Sequence, residues 1–453
     1  MTTPSWPSGP PLRPDAAGAV DITPTAGLRG RIRVPGDKSV SHRALLLAAL
    51  AEGESMVRGL SDGDDVRRTA VAVAAHGATL TIGAPVEEGA RLPLPGIPVV
   101  RIVGGRSVLR ESHEPIDVGN SGTGIRLLAG WAASFPWLTV LHGDRFIARR
   151  PMGRVVDPLQ AMGARVDGRD NGRFPPLTIR GGGLRGIDYT LPVASAQVKS
   201  ALLLAGLGAD GTTTVREPAP IRAHTEEMLA ACGADVEASD GGTVVSVRRS
   251  TLSPFDLRVP GDPSQAAYWV VAASIVPDSD VTIEGVYVGR ARAGFLDVLR
   301  RMGADIEVTM VDETTADIRT RTAPLVGTVV EGDEVPGLID EIPILAVAAA
   351  HADGLTEFRD AAELAVKETN RIATVTAALT AMGVASEGRP DGLTVRGSGI
   401  VHGAVIDSQG DHRIAMAGAV AALIADAPTR VEGWGAVATS YPTFLDDLDR
   451  LLA

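Results

Sequence analysis

Most of the residues in this chain that could do chemistry sit in a few short polar phrases. GDKSVSHR (Gly36–Arg43) supplies Lys38, Ser39 and Arg43, and GNSGTGIR (Gly119–Arg126) supplies Asn120 and Gly122. ASAQVKS (Ala194–Ser200) supplies Ser195, Ala196 and Gln197, LIDE (Leu338–Glu341) supplies Asp340, and GDHR (Gly410–Arg413) supplies Arg413. RRPMGR holds Arg149, Arg150 and Arg154, and AVKETNR holds Lys367, Glu368 and Arg371. A Lys ammonium is a point charge for an anion, and an Arg fork matches carboxylate or phosphate. Two carboxylates, Asp340 and Glu368, together with a Lys can move protons. The chemistry these residue types suit is binding of small, multiply charged anions with proton transfer.

Several familiar sites are excluded by spacing. Asp37 separates Gly36 from Lys38, so the G-x-x-x-x-G-K-[ST] phosphate loop is absent. GNSGTGIR does not fit G-x-G-x-x-G. No His/Cys/Asp/Glu cluster has metal-ligand spacing, so no metal is expected. Each phrase also has a plainer reading. GDKSVSHR could be a capped helix with solvated charges, RRPMGR a charged helix start, and AVKETNR a surface ion pair. His412 reads as a core or capping residue. Pro151 at the first helical position would put Arg150 at the cap. Lys367 and Arg371, four apart, would share a helical face, with Glu368 pairing to Arg371.

The phrases recur at one kind of place. Six of them, with GDPSQ (Gly261–Gln265) as the fourth, open Ala/Leu-rich helices such as ALLLAAL, ALLLAGL and IAMAGAVAALI. These helices are apolar on every side, so burial is expected. A helix start offers unpaired N–H groups and a positive dipole end, which suit anions. After each comes a short β-rich run, then an amphipathic helix that stops at Gly77, Gly163, Gly233, Gly303 or Gly383. A β-α-β-α-β-β unit of about 70–80 residues therefore repeats six times. The sixth copy lacks its last strands, and the segment GLRGRIRVPG is expected to complete it. The reading is an α/β chain with a tail at 1–25 that lacks order. Residues 26–38 plus 259–453 form one discontinuous domain, and 39–258 the second. Two crossings at one place predict a hinge beside a ligand cleft.

Composition agrees with a globular chain. At 453 residues it exceeds one ordinary core. A net charge of −12 argues against nonspecific nucleic-acid binding. The single Cys232 forbids an intrachain disulfide and fits a reducing, cytoplasmic setting. No apolar run is long enough for a membrane span, and residues 1–25 lack the apolar segment of a signal peptide.

PGDKSVSHR, GNSGTGIR, RRPMGR, ASAQVKSALLLAG, VPGDPS, LIDE-P, VKETNR and DHRIAM, in this order, resemble the enolpyruvyl transferases. The resemblance runs from about Leu28 to the C-terminus, and ASAQVK, VPGDPS and ATSYP are similar to the branch called class II. It implies a two-domain inside-out α/β barrel of three units per domain, with no cofactor and a monomer as the expected state. The implied reaction moves the enolpyruvyl group of phosphoenolpyruvate to the 5-hydroxyl of shikimate 3-phosphate, in aromatic amino acid biosynthesis. By resemblance, Lys38, Ser39, Arg43, Ser195, Ala196, Gln197, Arg222, Asp340 and Lys367 hold shikimate 3-phosphate. Lys38, Asn120, Gly122, Arg150, Gln197, Arg371 and Arg413 resemble the phosphoenolpyruvate site. Asp340, Glu368, Lys38 and Lys367 are the expected catalytic set. Two positions depart from the family pattern: Asn370 stands where Asp is usual, and Thr439 where many members carry Lys.

Two alternatives compete. A sister activity on the same fold uses UDP-N-acetylglucosamine as acceptor and typically carries a reactive Cys in a loop GGCxIGARP. The matching stretch here is GDRFIARRP, with Arg145 in that place. A non-catalytic anion-binding paralogue would be expected to lack Asp340, Glu368 or Lys38, and all three are present.

Overall fold

The computed structural model describes residues 12–83 and 99–452. The chain divides into two compact units, Gly36–Pro260 and a second built from Met1–Pro35 with Gly261–Ala453. The divisions fall at 35/36 and 260/261 rather than at 38/39 and 258/259.

Among the described residues each unit contains three sheets and three buried helices. In Gly36–Pro260 the buried helices are Lys38–Leu50, Gly122–Ala133 and Ala196–Gly206. In the other unit they are Pro263–Ile275, Ile342–His351 and His412–Ala422, which pack on one another. Nearly every residue of these six helices is buried, so their sequences need no polar face.

One repeat shows the shared plan. Strand Ile116–Asp117 runs parallel to Leu138–His142, with helix Gly122–Ala133 as the crossover between them. Helix Gly153–Ala161 follows, and the hairpin Arg165–Gly168 with Phe174–Arg180 returns antiparallel to the central strand. The five glycines that stop the outer helices all have positive φ, between 77° and 106°. A side chain there would be strained, which explains the recurrence of Gly. The strands alternate buried and exposed positions, and the exposed ones carry cross-strand pairs such as Arg216–Asp188 and Arg319–Asp280.

Two strands are exchanged relative to chain order. Arg29–Ile32 precedes the first buried helix, yet it pairs with Asp280–Tyr287 in the fourth sheet. Asp256–Arg258 precedes the fourth buried helix, yet it pairs with Gly53–Arg58 in the first sheet. The two crossing segments run side by side. Asp37 N–H donates to the Pro260 carbonyl at 2.7 Å, and Asp262 N–H to the Pro35 carbonyl at 2.9 Å.

Four expectations need correction. GLRGRIRVPG completes the fourth sheet, not the sixth. The sixth is completed by Val20–Ile22, which pairs antiparallel with Thr429–Glu432. Residues 12–25 are therefore not a disordered tail: Val20 and Ile22 are buried, and Arg13 pairs with Asp446. The first eleven residues lie outside the described part. Composition misled because a three-residue strand needs only two inward side chains to bury itself. Helix Gly153–Ala161 starts at Gly153 and not at Pro151, so Arg150 lies outside it. Lys367 and Arg371 do not share a helix, since Lys367 is extended and the helix begins at Arg371.

Among the described residues no helix is long and apolar enough to cross a membrane. Removing residues 1–25 should lower the stability of the discontinuous unit by about 3–5 kcal/mol, the burial of two aliphatic side chains. Denaturant unfolding measures this, and an unchanged midpoint would contradict the pairing.

Candidate active site

In Gly36–Pro260 the charged groups gather around the starts of its three buried helices. Asp37 caps the first, its carboxylate accepting from Val40 N–H at 2.9 Å. Ser121 caps the second through Gly124 N–H at 2.9 Å, and Ser195 caps the third. Each cap supplies an acceptor that the helix start lacks. Lys38 Nζ donates to Asp65 Oδ2 at 3.1 Å. Arg43 is buried and donates to Ser39 O at 2.8 Å, Thr225 Oγ1 at 2.6 Å and Ser200 Oγ at 2.5 Å. Arg126 donates to Gln197 Oε1 at 2.7 Å and to the Gly122 carbonyl at 3.0 Å, and Gln197 donates to Thr123 Oγ1 at 3.0 Å. The second and third phrases are thereby joined.

Gly122 answers to the same crowding. A Cβ there would stand 2.1 Å from Arg150 Nη1, so Gly is what lets the guanidinium lie against the second helix start. Asn120 and Arg222 sit in the loops before the second buried helix and before helix His224–Ala231.

The discontinuous unit concentrates its charge on one guanidinium. Arg371 is 1% exposed and donates to Asp411 Oδ2 at 2.8 Å, Glu368 Oε2 at 2.5 Å and Asp340 Oδ1 at 3.3 Å. Lys367 Nζ reaches the same Asp340 Oδ1 at 3.2 Å, and Arg413 donates to the Asp340 carbonyl at 3.0 Å. Burial opposes the charge on Arg371, but Asp411, Glu368 and Asp340 outweigh it and raise its pKa. Burial likewise pushes Asp411 up, yet Arg371 holds it below the ordinary carboxylate range. Asp411 also caps the sixth buried helix through Arg413 N–H at 2.9 Å. Asp340 and Glu368 are only partly buried, with 17% and 16% of their side chains exposed. They are the carboxylates of this network that can meet a substrate.

Sequence reasoning missed several participants. Arg292 is buried and donates to Asp262 Oδ1 at 2.6 Å and to Glu341 Oε1 at 3.3 Å, next in sequence to Asp340. His42 hydrogen-bonds Thr69 Oγ1 at 2.7 Å under the first helix start. Arg292 lies outside the polar phrases, and His42 lies within GDKSVSHR but was passed over beside Lys38 and Arg43. Asn370 caps the Arg371 helix, accepting from Ala373 N–H at 3.2 Å, a task that Asn performs as Asp would. Thr439 Oγ1 donates to the Ala436 carbonyl at 2.8 Å. Cys232 is buried, and desolvation pushes its thiol up to about 12, so it is inert.

Two sets of three sheet-and-helix units, with charge at the helix starts, define the enolpyruvyl transferase class of fold. The enolpyruvyl transferase NikO from Streptomyces tendae shares it at a TM-score of 0.77 and 20% identity, over 97% of each chain. The family model for EPSP synthase (3-phosphoshikimate 1-carboxyvinyltransferase) matches residues 22–448. A 3-phosphoshikimate 1-carboxyvinyltransferase of Gloeobacter violaceus is 49% identical, over 96% of this chain and 99% of its own. One of Synechococcus sp. is 48% identical, over 96% and 97%. The EPSP synthase structure from Acinetobacter baumannii has a TM-score of 0.83 at 38% identity, covering 96% of this chain and 98% of its own. The chain belongs to the EPSP synthase family.

Burial, with Lys38 and Arg43 beside it, pushes the His42 imidazole well below its ordinary value. Burial acts in the same direction on His76 and His351. The folded protein keeps these rings neutral while the unfolded chain binds protons, so stability should fall as pH drops below about 6.5. His42→Gln should make that slope shallower in chemical denaturation. An unchanged slope would contradict the neutral, buried ring.

Proposed function

We propose that the chain transfers the enolpyruvyl group of phosphoenolpyruvate to the 5-hydroxyl of shikimate 3-phosphate, releasing phosphate, and that residues of both units serve this reaction. Family membership supports the activity. The observation that carries the residue roles is the convergence of Asp340, Glu368 and Asp411 on the single Arg371 guanidinium, with Lys367 on Asp340.

The chemistry assigns each group a task. Asp340 accepts the proton of the 5-hydroxyl as its oxygen adds to C2 of phosphoenolpyruvate. Lys367, 3.2 Å from that carboxylate, meets the developing oxygen charge. Glu368 or Lys38 delivers a proton to the C3 methylene, which becomes a methyl group in a tetrahedral intermediate. The same group then takes a proton back as the C–O bond to phosphate breaks. Arg43, Ser39, Ser195, Ala196, Gln197 and Arg222 hold shikimate 3-phosphate. Arg150, Arg371, Arg413, Asn120 and Gly122 hold phosphoenolpyruvate, with Lys38 and Gln197 shared. Fixed cations stabilise the charge that develops on carboxylate and phosphate oxygens without reorganising during the reaction. Holding both substrates makes the addition an oriented step.

GDRFIARRP carries Arg145 in place of the reactive Cys typical of the UDP-N-acetylglucosamine enzymes, which favours the shikimate acceptor. A non-catalytic paralogue is disfavoured by the presence of Asp340, Glu368 and Lys38.

Turnover in D2O should place deuterium in the enol ether methylene of the product, because the methyl intermediate returns one of three hydrogens. Glu368→Gln should lower kcat by about 100-fold or more, the usual contribution of a positioned acid–base group, with small changes in KM. An undeuterated product would reject the addition–elimination route, and an unchanged kcat would remove Glu368 from it.

A further inference from the structure

The third buried helix carries one charge that the reaction does not use. Lys199 lies in Ala196–Gly206, a helix otherwise made of small and apolar residues beyond Gln197 and Ser200, and its side chain is wholly buried. A buried ammonium is retained only where partners compensate its desolvation. Lys199 Nζ has two: Glu217 Oε1 at 2.6 Å and Glu226 Oε1 at 2.6 Å. The Glu217 side chain is equally buried, and that of Glu226 is 8% exposed.

These carboxylates bracket the segment that carries Arg222. Glu217 begins the loop after strand Thr212–Arg216, and Glu226 lies in the first turn of helix His224–Ala231. The second oxygen of Glu217 accepts the backbone N–H of Ile221 at 3.0 Å, one residue before Arg222. Thr225, beside Glu226, accepts from Arg43 Nε at 2.6 Å and hydrogen-bonds Ser200 Oγ at 2.6 Å. One ammonium therefore ties both ends of the loop to the helix whose start bears Ser195 and Gln197.

We propose that Lys199, acting through Glu217 and Glu226, is a positioning residue for shikimate 3-phosphate: it clamps the 217–226 segment so that Arg222 and Arg43 are held in register with Ser195 and Gln197. The proposal rests on the reading of Arg222 as a ligand of that substrate. Loops that carry binding groups lose precision when their anchors go, even where the fold survives.

The clearest variants are at Glu217, because Lys199 and Glu226 then remain a balanced pair. Glu217→Leu removes the acceptor for Ile221 N–H, and Glu217→Gln keeps one. Glu217→Leu should raise the KM for shikimate 3-phosphate by about tenfold or more, with kcat and the phosphoenolpyruvate KM within about threefold. Glu217→Gln should stay within about threefold of wild type in all three. An unchanged shikimate 3-phosphate KM in Glu217→Leu, or equal losses for both substrates, would overturn the clamp. Hydrogen exchange of the substrate-free wild type tests it without any variant. The 217–223 amides should exchange more slowly than an exposed loop, and exchange at loop rates would overturn it. Absence of any shikimate 3-phosphate-dependent turnover in wild type would instead reject the functional reading, leaving the exchange result to decide the clamp.

Discussion

Charge at the start of a helix that is apolar all round is the arrangement on which the rest of this molecule depends. Such a helix is stable only when buried, yet its first turn exposes unpaired N–H groups that must find acceptors. Asp37, Asp262 and Asp411 answer that need, and all three are buried. A buried carboxylate then requires a cation, as Arg371 serves Asp411 and Arg292 serves Asp262. The cations that satisfy the caps are thus fixed where small anions can use the same dipole ends. Capping and charge balance are one problem solved by one set of side chains.

The same logic separates support from chemistry within the network. Arg371 and Asp411 are buried, and their pairing fixes the orientation of the guanidinium. Asp340 and Glu368 lie at the edge of the same guanidinium and remain partly open. A change in protonation at either carboxylate is therefore felt by the rigid Arg371 guanidinium as well as by solvent. The exchanged strands add a second constraint. Because Arg29–Ile32 completes a sheet whose other strands lie beyond Gly261, the discontinuous unit needs both of its segments.

Much of this was legible in the sequence because helix starts leave strong local marks. Asp37, Ser121, Ser195 and Asp411 precede apolar runs, and the outer helices stop at Gly with positive φ. What was not legible depends on partners distant in sequence. Val20–Ile22 is too short to announce itself, and its partner Thr429–Glu432 lies near the other end of the chain. Lys367 and Arg371 meet through Asp340 and not along a helix, so their spacing of four suggested the wrong geometry. Lys199 finds its two carboxylate partners 18 and 27 residues further along the chain, where no sequence signature marks them.

Acceptor choice tests the account most directly. Phosphate release from phosphoenolpyruvate should be measured with shikimate 3-phosphate and, separately, with UDP-N-acetylglucosamine. The arrangement of Arg43, Ser195, Gln197 and Arg222, with Arg145 in place of a reactive Cys, predicts release with shikimate 3-phosphate alone. Release with the sugar nucleotide alone, or with neither substrate in a folded protein, would contradict it.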